Sequence, residues 1–364
     1  MKVYFDSQIF KYQNYGGISL YFANLISQFL TNPDLKVEPI LQILNNDNVN
    51  FKIISPELNE MVKNGKIQPG KKLINLSNLN YECDHFDLVH FTYYLPTSKL
   101  LNRSFPKIST IHDFIPESIY PFYSINRRLH FFKKTYLVKS DGLIFVSNDA
   151  LDSFNRLYPK LSVGCKKVIH HGVEVHYDQL HKEFNYGKDY FLYVGNRSGY
   201  KNFSLALEAF AKIALRHNVD LICFGGGPLL SSEKRVIYEL GLTNRVKFYS
   251  DKQKKLIDLF GGAKAFINPS ILEGFGLTNL EALSCGCPVI CTDTKIFKEV
   301  LGVNAFYFAS RSSDSLANVM DNVLSQNLKL DLKMAKSHLK KYSWLETAIQ
   351  TSDFYHYTFS NFNN

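Results

Sequence analysis

Cysteine is sparse, at six in 364 residues, which is no disulfide framework for a chain of this length; a reducing, cytoplasmic setting is expected. No stretch approaches 18 consecutive apolar residues, so no membrane-spanning helix is expected. The opening residues read as a strand turning polar at Asp6 rather than as the apolar core of an export signal. Twenty glycines and twelve prolines are too few for a collagen-like or low-complexity chain. The sequence also lacks Asp-x-Asp, which would hold a divalent ion on a diphosphate, and His-Glu-x-x-His. His170-His171 and Cys285-x-Cys287 have no second ligand pair at zinc spacing, so no metal and no cofactor are expected. Charge of one sign is not concentrated either: 42 Lys+Arg against 33 Asp+Glu leave a surplus spread over both halves. That argues against nucleic acid as a partner, while a mild positive field suits phosphorylated small molecules or the anionic inner face of a membrane.

What is present is a 45% hydrophobic chain in which short β-type runs alternate with stretches of helical period. This pattern predicts parallel α/β layers. In the first half the expected strands are 2–5, 37–44, 88–91, 107–111, 142–146 and 167–169, with a one-faced amphipathic helix at 18–30. A second series follows at 190–194, 220–224, 246–249, 265–267, 288–291 and 305–308. The polar stretch 172–188 reads as a linker, and 45–72 as loop and helix. The expected architecture is two doubly wound, Rossmann-like domains facing across a cleft, at 1–178 and 179–345. An aromatic C-terminal helix, 346–364, would pack back towards the first.

Four loops could carry chemistry. Gly16-Gly17 opens the amphipathic helix, where glycine permits close approach and free N–H groups favour an anion, although a plain tight turn would look the same. After the strand ending at Val194 come Arg197 and Lys201, two cations able to grip a diphosphate from two sides, or else ordinary surface charges. His112-Asp113 follows strand 107–111; the imidazole could contact a sugar hydroxyl with Asp113 orienting it, or be a structural histidine. The segment 268–281 is the most informative. Amides of Gly276, Leu277 and Thr278 at the start of a short helix, 277–285, could cradle phosphate oxygens. Glu273 and Glu281, eight residues apart, could accept hydrogen bonds from two sets of sugar hydroxyls, or merely cap the turn and complement the helix dipole. Gly225-Gly226-Gly227-Pro228 lacks a full dinucleotide fingerprint. The stretch 125–139, which interleaves Arg127, Arg128, Lys133 and Lys134 with aromatic residues, could face anionic lipid or be a domain helix with solvated cations.

Together these motifs resemble glycosyltransferase family 4, of GT-B fold. They fall in order as Tyr15-Gly16-Gly17-Ile18-Ser19, Thr110-Ile111-His112-Asp113, Val194-Gly195-Asn196-Arg197 with Lys201, Glu273-Gly274-Phe275-Gly276-Leu277 with Glu281, and Gly286-Cys287-Pro288. The opening segment from Phe5 to Ser19 is similar to bacterial mannosyltransferases of surface-polysaccharide assembly. The resemblance implies a retaining hexosyltransferase taking a nucleotide-sugar, GDP-mannose in the leading reading, to a glycan or lipid-linked glycan acceptor. It implies that Arg197 and Lys201 neutralise the leaving diphosphate, that Gly17 and the 276–278 amides bind its oxygens, and that Glu281 holds the ribose. Glu273 would hold the transferred sugar, and His112 would sit near the reacting carbon. A UDP-sugar-dependent transferase, an epimerase of the same fold and a non-catalytic nucleotide- or sugar-binding relative stand as alternatives.

Overall fold

The structure is a computed structural model. It describes residues 1–6, 8–14, 16–41, 50, 86–95, 99–119, 124–176, 186–197, 199–250, 255–325 and 328–362, and no side chains at 99, 119 or 124–130. Two compact units emerge: unit 1 is Met1–Gly172 with Tyr342–Asn364, and unit 2 is Val173–Lys341.

Unit 1 is built on a six-stranded sheet of β1 (Lys2–Phe5), β2 (Glu38–Leu41), β3 (Leu88–Phe91), β4 (Lys107–Ile111), β5 (Gly142–Phe145) and β6 (Cys165–Val168). The strand order is β2-β1-β3-β4-β5-β6, and every neighbouring pair is parallel. Strands buried on both faces explain the near-continuous apolar runs. Two short helices, α1 (Gln8–Tyr12) and α2 (Gly17–Thr31), follow β1. Tyr21, Phe22, Leu25, Ile26 and Phe29 of α2 are buried in the core, each contributing about 1.5–3 kcal/mol through removal from water. That core also takes Phe354 and Tyr355 from the C-terminal helix. Further on come α3 (Ile115–Ile119), α4 (Ser124–Lys139) and α5 (Asn148–Leu157).

Unit 2 repeats the plan with β7 (Asp189–Val194), β8 (Val219–Phe224), β9 (Val246–Tyr249), β10 (Ala265–Asn268), β11 (Val289–Thr292) and β12 (Phe306–Phe308). Their order is β12-β11-β10-β7-β8-β9, again parallel throughout. The intervening helices are α6 (Phe203–Ala214), α7 (Ser231–Glu239), α8 (Leu256–Gly262), α9 (Leu277–Ser284), α10 (Lys295–Leu301), α11 (Ser313–Ser325) and α12 (Leu332–Leu339). Helix α13 (Trp344–Phe362) returns to unit 1. In unit 1, the Tyr355 hydroxyl lies 2.6 Å from His90 Nδ1, whose Nε2 lies 2.8 Å from Thr110 Oγ1. Burial lowers the His90 pKa to about 3, so it holds β3, β4 and α13 together as a neutral ring.

Several expected bounds shift. The strand expected at 37–44 is β2, Glu38–Leu41, with 42–49 outside the described residues. That expected at 167–169 is β6, Cys165–Val168, placed by pairing with β5. The chain leaves unit 1 after Gly172 rather than at 178, and rejoins it at Tyr342. The stretch 45–72 lies outside the described residues apart from Asn50. Among the described residues, no helix is long and apolar enough to cross a membrane.

Candidate active site

In both units the candidate residues follow the carboxyl ends of parallel strands, where open α/β sheets bind ligands. The densest set belongs to unit 2. Past β7, Arg197 is only 7% exposed. Its Nε donates to Glu233 Oε1 at 2.9 Å, Nη1 to the Gly225 carbonyl at 2.9 Å, and Nη2 to the Gly227 and Pro228 carbonyls at 3.0 Å each. The planar fork thus fastens the 225–228 loop, which a point charge could not do from one position. All three glycines there have positive φ, and a Cβ on Gly226 would stand 2.5 Å from the Gly195 carbonyl oxygen. Glu233 also accepts from the Leu230 amide at 2.8 Å, so one carboxylate caps α7 and anchors the arginine.

Lys201 closes a 3-10 turn, Gly199–Lys201, tied to the loop after β10 by the Ile271 amide donating to the Tyr200 carbonyl at 2.9 Å. That tie brings Lys201 Nζ within 2.6 Å of Glu273 Oε1. Two bare cations side by side, as the spacing of Arg197 and Lys201 suggested, are therefore not what the structure shows. Each cation has its own carboxylate, because an unpaired charge at a largely buried position is costly.

The loop from Asn268 to Gly276 is set by a buried amide pair, Asn268 Nδ2 donating to Asn279 Oδ1 at 3.0 Å. Gly276 is left-handed at φ 83°, and a Cβ there would lie 2.9 Å from both Asn279 Nδ2 and Phe297 Cε1. Only glycine fits. Helix α9 then starts with no side-chain cap and no acidic residue in its first turn, which leaves the dipole of Leu277 and Thr278 available to an anion. Glu281 follows on α9, and desolvation pushes its carboxyl up to about 7. Cys285 and Cys287 are buried, and burial raises both thiols. They are packing residues, and among the described residues no group of three His, Cys, Asp or Glu could hold a metal ion.

In unit 1, Gly16 precedes α2 with extended backbone. Gln13 Oε1 folds over it to accept from the Ser19 amide at 3.3 Å, and Asn50 Nδ2 donates to the Gly16 carbonyl and to Ser19 Oγ at 2.9 Å each. A Cβ on Gly17 would meet nothing within 4 Å, so open space adjoins the helix start there. His112 is buried just past β4, with the rings of Tyr21, His171 and Phe22 at 5.2, 5.7 and 5.9 Å. Burial lowers its pKa well below the usual histidine value. Its Nε2 has no hydrogen-bond partner among the described residues. A neutral imidazole with a spare buried nitrogen is suited to one polar ligand contact. Asp113 does not orient it. Its Oδ1 accepts from the Ile115 amide at 3.1 Å and starts α3, a local bond that wins because the next turn needs a cap.

Lys133 is a further correction. Read from the sequence as either a lipid-facing or a solvated cation, it is buried instead, donating to the Asp113 carbonyl at 2.9 Å and lying 2.9 Å from Glu117 Oε1. Of that face only Phe131, Lys134, Val138 and Lys139 are exposed among the described residues, and the side chains of Arg127 and Arg128 lie outside them.

The motif reading missed Glu233, Asn268, Asn279, Gln13 and Asn50. A glutamate near the start of the helix that follows Gly225-Gly226-Gly227-Pro228 is the one sequence signal that could have revealed Glu233.

Two parallel six-stranded Rossmann-like units with these loops define the GT-B class. Residues 178–341 match the family described as "Glycosyl transferases group 1". The chain is 30% identical over 179 residues to an uncharacterized glycosyltransferase of Methanocaldococcus jannaschii, covering 45% of this chain and 44% of that one. It is 28% identical over 220 residues to the O-antigen chain mannosyltransferase RfbU of Salmonella typhimurium, covering 59% and 60%. The matched stretch thus spans less than two thirds of either relative. The crystal structure of HepE of Anabaena in complex with UDP-glucose superposes with a TM-score of 0.67 at 18% identity, covering 98% of this chain and all of that one; this likeness concerns the fold.

Proposed function

We propose that the protein transfers a hexose from a nucleotide-sugar to a glycan or lipid-linked glycan acceptor, with unit 2 holding the donor and unit 1 the acceptor. The observation that carries this reading is the Lys201–Glu273 pair beside the uncapped start of α9. It places a cation, a hydroxyl acceptor and a helix N-terminus on adjoining loops, a set that fits a sugar esterified to a diphosphate. The diphosphate would draw Lys201 from Glu273, freeing the carboxylate for sugar hydroxyls. The 276–278 amides would receive phosphate oxygens and Glu281 the ribose hydroxyls, while Arg197 would act by shaping the 225–228 loop and adding positive field. Bond breaking leaves negative charge on the departing phosphate, so interactions that strengthen with that charge accelerate transfer. Retention of configuration, without metal or protein nucleophile, is part of the proposal. Similarity to an O-antigen mannosyltransferase favours mannose from GDP-mannose, and likeness to a UDP-glucose complex favours a UDP-sugar as the second reading.

The test is a thermal-shift titration with GDP, UDP, ADP and dTDP, with and without EDTA. A ligand held only by the folded state raises its stability, by about 2.7 kcal/mol at a hundred times its Kd. One nucleotide is expected to raise Tm selectively and indifferently to EDTA; folded protein that responds to none would sink the donor assignment.

Glu281 adds a pH signature. Its folded pKa of about 7 exceeds the ordinary 4.5, so its contribution to stability is present at low pH and is lost as pH rises from about 4.5 through 7. Nucleotide affinity is expected to run the other way, because the ionised carboxylate is the better acceptor for ribose hydroxyls. Isothermal titration from pH 6 to 8 should show tightening that Glu281→Gln abolishes, and an unchanged slope in the variant would remove Glu281 from the ribose.

A further inference from the structure

Unit 1 carries an aromatic stack that the donor chemistry does not use. Tyr12, the last residue of α1, is 50% exposed and lies parallel to Tyr93, two residues past β3, at 4.7 Å and 24°. Tyr93 in turn lies 5.3 Å from Tyr94, whose hydroxyl donates to the Thr110 carbonyl at 2.6 Å. Three rings thus run from the core out to solvent.

The stack rests on a rigid base. Buried Asp6 accepts from the Thr92 amide and hydroxyl at 2.9 and 2.6 Å and from Gln8 Nε2 at 2.6 Å. Thr92 Oγ1 accepts from the Ile9 amide, and Gln8 Oε1 from the Leu95 amide. These bonds fasten α1, which bears Tyr12, to the loop that bears Tyr93. The ring is held out before any ligand arrives, a state that lowers the ordering cost of binding. The carboxylate of Asp113 acts electrostatically on Tyr93, and the Asp113 carbonyl accepts from Lys133, whose Nζ lies 5.6 Å from the centre of the Tyr94 ring. Asp113 Oδ1 is taken by the Ile115 amide, whereas Oδ2 has no partner among the described residues.

We infer that Tyr12, backed by Tyr93, is the platform on which a pyranose ring of the glycan acceptor stacks, with Asp113 Oδ2 accepting from one of its hydroxyls. A pyranose has an apolar face of C–H bonds and a rim of hydroxyl donors. The electron-rich face of an exposed tyrosine attracts the first, and a carboxylate oxygen within electrostatic reach of the stack attracts the second. An acyl chain would gain nothing from the carboxylate. The position fits as well, since Asp113 follows directly on His112 after β4. The inference rests on the glycosyl-transfer reading for the acceptor's identity and specifies where that acceptor is gripped.

The probe is methyl α-D-mannopyranoside, with methyl α-D-glucopyranoside beside it, observed by saturation-transfer NMR on the full chain. Transfer is expected to the ring C–H protons in the native protein and in Tyr12→Phe, which keeps the ring. Tyr12→Ala should weaken it roughly tenfold while Tm and the response to nucleotide stay native, and Asp113→Asn should weaken it less. Equal transfer in native protein and Tyr12→Ala, or none in folded native protein, overturns the platform. So does loss of binding to anionic phosphatidylglycerol vesicles in Tyr12→Ala without any sugar signal, which would make the ring a lipid contact. Sugar transfer that depends on Tyr12 in a protein deaf to every nucleotide would uphold the platform and overturn the donor reading alone.

Discussion

Replacement of Lys201 by alanine is expected to lower turnover by about 10²–10³-fold, or roughly 2.7–4 kcal/mol of transition-state stabilisation, with the fold intact. Lys201 closes a short surface turn and packs into no core, so its truncation removes charge rather than volume. In the resting protein its Nζ lies 2.6 Å from Glu273. On the proposed function, the interaction that matters catalytically is the one exchanged for it when charge develops on the departing phosphate. Initial rates with the nucleotide-sugar whose nucleotide gives the thermal shift measure this directly, and circular dichroism checks folding. The double variant Lys201→Ala with Glu273→Gln separates two causes. If the loss came only from a stranded Glu273 carboxylate, neutralising it would restore turnover; if Lys201 itself stabilises the leaving group, the double variant stays slow. Near-native rates in Lys201→Ala would remove it from the diphosphate.

Arg197→Ala is expected to act on a different link of the chain. The guanidinium is buried and bonded to Glu233 and to three carbonyls of the 225–228 loop. Removing it leaves a carboxylate with only the Leu230 amide named beside it and three carbonyl oxygens deprived of a donor. Breaking a buried pair from one side costs about 3–5 kcal/mol. Urea unfolding of the full chain should show that loss, and the nucleotide response should vanish with the shape of the loop. Arg197→Lys keeps the charge and loses the fork, so it should recover only part of the stability. A loss under about 1 kcal/mol, within the range of exposed pairs, would mean that the network contributes little. The expected outcomes together would assign Lys201 to chemistry and Arg197 to architecture, two cations four residues apart with different work.

That division shows how far residues can be read unaided. The positions of the central strands could be anticipated because they are parallel and buried on both faces, so each is a run of apolar residues bounded by turn signals, as at 142–145 and 289–292. The position of Gly276 could be anticipated too, since a glycine between a strand end and a helix start is what a left-handed cap demands. Partners separated by tens of residues could not. Glu233 comes 36 positions after Arg197, and Asp113 turned to its own backbone two residues on instead of to its neighbour His112. The basic stretch 125–139 reads as one amphipathic face. Lys133 nevertheless points inward, because Glu117, 16 residues earlier, is buried and needs a cation.

By itself, then, the sequence determined the class of protein. Alternating strand and helix periods, repeated twice, leave little choice but two parallel-sheet units. The loop motifs at the strand ends are local, so their residue types and order already carry the resemblance to a glycosyltransferase family. Only the tertiary structure decided what each side chain does there. It paired Arg197 with Glu233 and Lys201 with Glu273, buried Lys133, left His112 neutral with a spare nitrogen and stacked Tyr12 on Tyr93. The physical reason is that charge pairing, desolvation and ring stacking depend on distance in space, and the folded chain sets those distances between residues that the sequence keeps far apart.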